Sequence, residues 1–118
     1  MTSQTLTPVP LVPNAAGVDL TAALATPTNV NLTFINSGRE FLAVAAGATS
    51  ETVQLDIGVT ILGQAVANFT AVPITNAHTV LFGPFTAQVD QAGTQTAEIT
   101  LSTTTAITVA LIQFTPVV

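Results

Sequence analysis

Apolar and polar residues alternate with a period of two along most of the chain from Val30 to Leu101. Val30, Leu32 and Phe34 form one row, with Asn31, Thr33 and Ile35 between them. Val53, Leu55 and Ile57 alternate with Thr52, Gln54 and Asp56, and Ala97, Ile99 and Leu101 with Thr96, Glu98 and Thr100. Successive side chains of a strand point to opposite faces, so this pattern predicts half-buried strands. Further strands are expected at Glu40–Ala45, at Val59–Leu62 between Gly58 and Gly63, and at Thr79–Phe82 ahead of Gly83-Pro84. Val66–Ile74 reads as one or two strands broken near Pro73, because proline cannot donate to a central ladder. Val89 leads into a turn at Asp90-Gln91-Ala92-Gly93. Asn36-Ser37-Gly38 and Ser102–Thr105 read as turns. About eight short strands at roughly 8–12-residue spacing mark an all-β chain folded as a single β-sandwich, Ig-like or jelly-roll-like.

The last strand, Ile107–Phe114, departs from simple alternation. Ile107, Val109 and Leu111 face one way, and Ala110, Ile112 and Phe114 the other. A strand apolar on both faces is covered twice, once by its own domain and once by an arm or a neighbouring subunit.

Residues 1–29 break the pattern. Pro8, Pro10, Pro13 and Pro27 fix the backbone and remove ladder donors, which favours an extended arm over a helix. Short edge strands are expected at Val9–Val12 and Val18–Thr21. A short helix within Ala15–Ala25 is weakened by Gly17 and two threonines. The chain thus divides into an arm, 1–29, and a sandwich, 30–118. Residues 1–7 read as an arm or as a disordered tail.

Composition narrows the function. The 118 residues hold one basic residue, Arg39, one histidine, His78, six acids and no cysteine, for a net charge of −5. One cation cannot track a phosphate backbone or an anionic membrane, so neither nucleic acid nor membrane is an expected partner. Without cysteine there is no disulfide framework and no thiolate metal site. No secretory signal is visible at Met1-Thr2-Ser3-Gln4, and no apolar run reaches the ~18 residues of a spanning helix. A charged fraction of 6% leaves Thr, Ser, Asn and Gln to solvate the surface, or leaves part of it covered by other subunits.

Few groups carry chemistry. His78 has no second His or Cys to share a metal with, and reads as structural or exposed. A Ser50–His78–Asp56 triad lacks the nucleophile elbow that would position its serine. Asp56 and Asp90 lie near glycines and read as turn formers, since calcium needs six to eight oxygens from clustered carboxylates. The sequons Asn31-Leu32-Thr33 and Asn68-Phe69-Thr70 are short patterns expected by chance in a Thr-rich chain. Arg39 is expected either to bond Glu51, Asp56 or a neighbouring subunit, or to stand exposed in a turn. No catalytic residue, cofactor or metal site is expected.

Three ordered segments carry a resemblance: Asn36-Ser37-Gly38-Arg39-Glu40-Phe41-Leu42-Ala43-Val44, Phe82-Gly83-Pro84-Phe85, and Glu98–Leu101 followed by Ile107–Ile112. Over about residues 30–114 they resemble the small capsid decoration (cement) or minor head proteins of tailed bacteriophages. The longer Pro-rich start and the shortage of basic residues depart from that pattern. The resemblance implies a non-enzymatic protein on the capsid exterior, made in the host cytoplasm. It would bind the major capsid protein at capsomer junctions as a homo-oligomer, most simply a trimer. The alternative is a receptor- or carbohydrate-binding sandwich, which should show an exposed aromatic or Asp/Asn cluster. Leu11, Val12, Arg39, Leu111, Ile112 and Phe114 are the expected subunit or capsid interface. An isolated monomer is expected to leave the apolar ones under-covered.

Overall fold

Proline placement orders the sheets. In the computed structural model, residues 3–11, 17–56, 60–61, 64–65, 72–85 and 96–114 are described. Among them the chain forms β1 (Gln4–Thr5), β2 (Val9–Leu11), α1 (Leu20–Ala23), β3 (Asn31–Ile35), β4 (Glu40–Ala46), β5 (Glu51–Leu55), β6 (Thr60–Ile61), β7 (Gln64–Ala65), β8 (Val72–Ile74), β9 (Thr79–Phe82), β10 (Thr96–Leu101) and β11 (Ile107–Phe114). One sheet has the order β1-β3-β10-β5-β8, a second β2-β11-β4-β9, and β6 and β7 pair as a hairpin. Pro10 lies in β2 and Pro73 in β8, and each of these strands is the edge of its sheet. An edge is where a missing N–H goes unnoticed by the ladder.

The two large sheets pack face to face as a β-sandwich. Leu32 and Phe34 of β3, Val53 of β5, Ile74 of β8 and Ala97, Ile99 and Leu101 of β10 form one inner face. Leu42, Val44 and Ala46 of β4 with Ile107, Val109 and Leu111 of β11 form the other. Leu32, Leu42, Val44 and Val53 are withdrawn from water completely, and each such side chain contributes roughly 1.5–3 kcal/mol. The chain changes between the two large sheets repeatedly, among other places from β3 to β4 and from β10 to β11. β3 pairs antiparallel with β10, and β4 with β11, so these two passages lie at opposite ends of the sandwich and join the sheets at both.

Gly83 and Phe85 join this core to the β9 end. A Cβ on Gly83 would sit 2.8 Å from the Glu40 carbonyl oxygen, and its φ of +122° suits glycine alone. That close approach lets Phe85 turn inward, where its ring meets Phe34 at 5.2 Å between centroids.

The fold class matches the expectation, and several details differ. Eleven strands are described rather than about eight. The surplus comes from two-residue pieces and from the arm. Val18–Thr21 is not a strand. Asp19 caps α1 by accepting a bond from the Ala22 N–H at 3.3 Å, which turns the Ala-rich stretch after it into one helical turn. The arm also adds to both sheets: β1 runs parallel to β3, β2 runs parallel to β11, and Ala25 bridges Val109. The turn read at Asp90–Gly93, residues 66–71 and the second sequon lie outside the described residues.

Candidate functional site

The outer face of the four-stranded sheet is built from small and large apolar residues in register. Ala43 of β4 opposes Ala110 of β11, and Phe41 opposes Ile112. The alanines leave room for the arm, whose Val18, Ala23 and Leu24 pack over Ala43, Ala110 and Ile112. Toward the Phe41 end this cover stops. An open groove of about 370 Å³ remains, lined by Leu11, Val18, Leu20, Phe41, Leu81, Ile112 and Phe114. Leu20, Leu81 and Phe114 are 40%, 59% and 42% exposed. They are three of the five large apolar side chains that stand out among the described residues.

Arg39 sits at the lip of this groove. Its carbonyl accepts from the Phe114 N–H at 2.8 Å, continuing the β4–β11 register so that Arg39 opposes Phe114 on the outer face. The side chain is exposed, and among the described residues it forms no ion pair. Glu51 and Asp56, expected as partners, are engaged elsewhere. Ser102 and Thr49 hydroxyls donate to Glu51 at 2.7 Å each, and the Thr100 hydroxyl donates to Asp56 at 3.1 Å. The reading of Arg39 as an exposed residue is the one that stands within the chain.

The residue next to it is the one the sequence did not single out. Glu40 is 1% exposed and faces inward opposite Gln113. Its carboxylate accepts from the Ser37 N–H at 2.6 Å, the Ser37 hydroxyl at 2.7 Å, the Arg39 N–H at 3.3 Å and the Gln113 amide at 2.8 Å. Burial pushes this carboxyl up, but the bonds from Ser37, Gln113 and Arg39 outweigh it and hold the group below its ordinary range. Gly38, at φ +84°, turns the chain so that these donors converge. The signal available in the sequence was the Ser-Gly-Arg-Glu turn itself, in which a Ser three residues before an acid can fold back on it.

A carboxylate pair lies on the outer face of the five-stranded sheet. Glu98 of β10 falls opposite Asp56 by the β10–β5 register, and the Asp56 N–H donates to the Glu98 carbonyl at 3.1 Å. Burial, followed in Glu98 by the charge of Asp56, pushes both carboxyls up. The Asp56 N–H thus continues the β5–β10 ladder one residue past Leu55, and Gly58, beside which Asp56 was read as a turn former, lies outside the described residues.

The drawn triad is not assembled. Ser50 precedes β5 and Asp56 follows it, so about 20 Å of extended chain separates them. Asn76 donates its N–H to Ser50 Oγ, and its carbonyl bonds His78 Nδ1 at 3.0 Å. Among the described residues no group of three or more His, Cys, Asp or Glu side chains is placed to hold a metal, and no helix is long and apolar enough to cross a membrane.

Of the six expected interface residues, Leu11, Ile112 and Phe114 line the groove and Arg39 borders it. Val12 lies outside the described residues. Leu111 points into the core and is 2% exposed, and Ile112 is 6% exposed. The expectation that a monomer leaves these two under-covered is thus corrected, because the facing sheet covers the first and the chain's own arm packs on the second. Comparison of the chain with protein-family models, curated proteins and solved structures finds no match.

Proposed function

We propose that this chain is a non-enzymatic virion structural protein. It decorates the exterior of a bacteriophage capsid and stabilises it by binding the major capsid protein at capsomer junctions, as a homo-oligomer such as a trimer. The observation that carries the reading is the open apolar groove between the arm and the outer face of the four-stranded sheet. Exposed apolar patches of this kind drive association, because covering each large side chain returns roughly 1.5–3 kcal/mol. The charge-poor composition and the ordered segments described above support the same reading. A carbohydrate-binding role fits the groove less well: its seven lining residues are all apolar, and sugar recognition needs hydrogen-bonding side chains. The test is co-sedimentation with preformed, expanded capsids. The protein is expected in the capsid pellet, and a protein that stays in the supernatant overturns the reading.

A further inference from the structure

We infer that the arm is a hinged flap. It lifts off the outer face of the four-stranded sheet while the sandwich stays folded, and so bares Ala43, Ala110 and Ile112 beside the groove. The inference goes beyond the capsid reading and does not depend on it.

The first argument is burial. Ala43, Ala110 and Ile112 are 1%, 5% and 6% exposed, and Val9, Leu11, Val18, Ala23 and Leu24 of the arm pack against them. Among the described residues, none of the arm before Pro27 is itself buried. α1 buries no residue, and a single helical turn has little stability of its own. The cover thus closes an apolar face while keeping much of its own surface in water. It gains less from burial than the strands beneath it. Segments with few buried contacts open at lower free energy than a core.

The second argument is attachment. The flap is held at the edge of its sheet, by β2 on β11 and by two reciprocal backbone bonds between Ala25 and Val109, at 3.0 and 2.9 Å. Its two ends are fastened at one place. β1 pairs with β3, the Leu6 N–H donates to the Thr33 carbonyl at 2.8 Å, and the Thr28 N–H donates to Gln4 Oε1 at 2.8 Å. Pro27, beside Thr28, is buried. With both ends tied together, the flap can leave the sheet without breaking β1 or any β4–β11 bond. It also recloses at a smaller cost in loop entropy than a free tail.

β11 carries a reporter of this motion. The Phe114 N–H bonds the Arg39 carbonyl and the Gly47 N–H the Ala106 carbonyl, which fixes the alternation along the β4–β11 ladder. Ala110 and Ile112 therefore direct their N–H groups at β4. Val109 directs its N–H at Ala25, and Gln113 directs its own at β2. Neighbouring amides of one strand thus answer to different partners.

The experiment is native-state hydrogen exchange of the full chain in dilute solution, read amide by amide by NMR, on the wild type and on Ala25→Pro. Ala25 is exposed, and Leu24 stands at φ −65° and ψ 127°, extended backbone that a following proline accepts. In the wild type, Val109 and Gln113 should exchange at least about tenfold faster than Ala110 and Ile112. Leu6, at the hinge, should stay with the slower pair. Ala25→Pro removes the donor to the Val109 carbonyl and should speed Val109 and Gln113 severalfold again, with Ala110 and Ile112 unchanged. Equal exchange of all four β11 amides in the wild type overturns the inference, because the arm then leaves only when the sandwich unfolds. Leu6 exchanging with Val109 overturns the hinge, because the whole arm then detaches. A variant in which all four amides speed up alike also overturns the inference, since the Ala25 bond then holds the sandwich rather than a flap.

Discussion

The outer face of the five-stranded sheet presents Thr33, Glu98, Thr100 and Asp56, whereas that of the four-stranded sheet presents Phe41, Ala43, Ala110 and Ile112. Both faces are made by strands of similar length, and both inner faces feed one core. The polar face bonds its own side chains to one another and meets water. The apolar face takes the arm over part of its area and leaves a groove over the rest. The molecule thus separates a largely solvated side, where Ile35 alone of β3 stands out as an exposed apolar residue, from a side where several exposed apolar residues share one groove.

The sharpest way to break this contrast is to put a charge on each face. Ile112→Asp places an unpaired carboxylate beneath the arm and should destabilise the fold by about 3–5 kcal/mol. Thr33→Lys, set opposite Glu98, should change stability by less than about 1 kcal/mol and in the favourable direction. Urea unfolding measures both. Equal losses at the two positions would erase the distinction between the faces.

Glu40 tests the join between the inner core and the groove. Glu40→Ala removes the acceptor shared by Ser37, Arg39 and Gln113 and should cost about 1–3 kcal/mol at neutral pH. Because folding holds this carboxyl below its unfolded value of about 4.3, its contribution is complete above that pH. It is lost as pH falls through the lowered folded value. The gap between wild type and variant should therefore close in acid. A gap that stays constant from neutral pH to pH ~3 would mean that packing, not the charge, holds the turn.

What the sequence disclosed, and what it withheld, follows from the range of each interaction. The alternation in β10 and the two apolar faces of β11 are local, and both appear as read. Pro73 was read as a strand break, but β8 runs through it, because as the edge of its sheet it has a side on which a missing N–H costs no ladder bond. Glu40 was read only as the start of a strand, because its burial depends on Gln113, 73 residues away. The opposition of Asp56 to Glu98 was not legible because it exists only once β5 and β10 are in register. Ile112 looked under-covered in a monomer because the sequence left open whether an arm or a neighbouring subunit covers that face, and the arm packs on it. The groove was legible in part: Leu11, Ile112 and Phe114 stood out as apolar excess, while Leu20 and Leu81 gave no such signal.

The polar face carries its own internal strain, which gives a smaller effect of opposite sign. Asp56 and Glu98 oppose each other, and both titrate above their ordinary values. The cost of holding both groups ionised, burial first and for Glu98 the charge of Asp56 second, is present above the raised folded values and is relieved as pH falls through them, since the folded state then binds more protons than the unfolded. Asp56→Asn or Glu98→Gln should stabilise the protein by roughly 0.2–1 kcal/mol at neutral pH and low salt. The gain should shrink with added salt, because both carboxylates are partly in water. Thermal melts at two salt concentrations and two pH values measure it, and a loss of stability in either variant would show that the pair holds the strands together instead.

The smallest expected effect on stability is the most informative about the groove. Arg39 contributes its carbonyl to the β4–β11 ladder, and that bond survives any substitution of the side chain. Its guanidinium is exposed and forms no ion pair among the described residues. Arg39→Ala should therefore shift the stability of the dissociated chain by less than about 0.5 kcal/mol. A chain with a single basic residue that does nothing for its own fold has that charge free for an encounter, and the register sets it at the lip of the open apolar groove. Melts of dilute wild type and Arg39→Ala should therefore coincide. At concentrations where the wild type associates, its melt should move above that of the variant, because binding to the folded state alone raises apparent stability by mass action. A difference already present in the dilute melts, of 1 kcal/mol or more, would place Arg39 in the fold rather than at the contact.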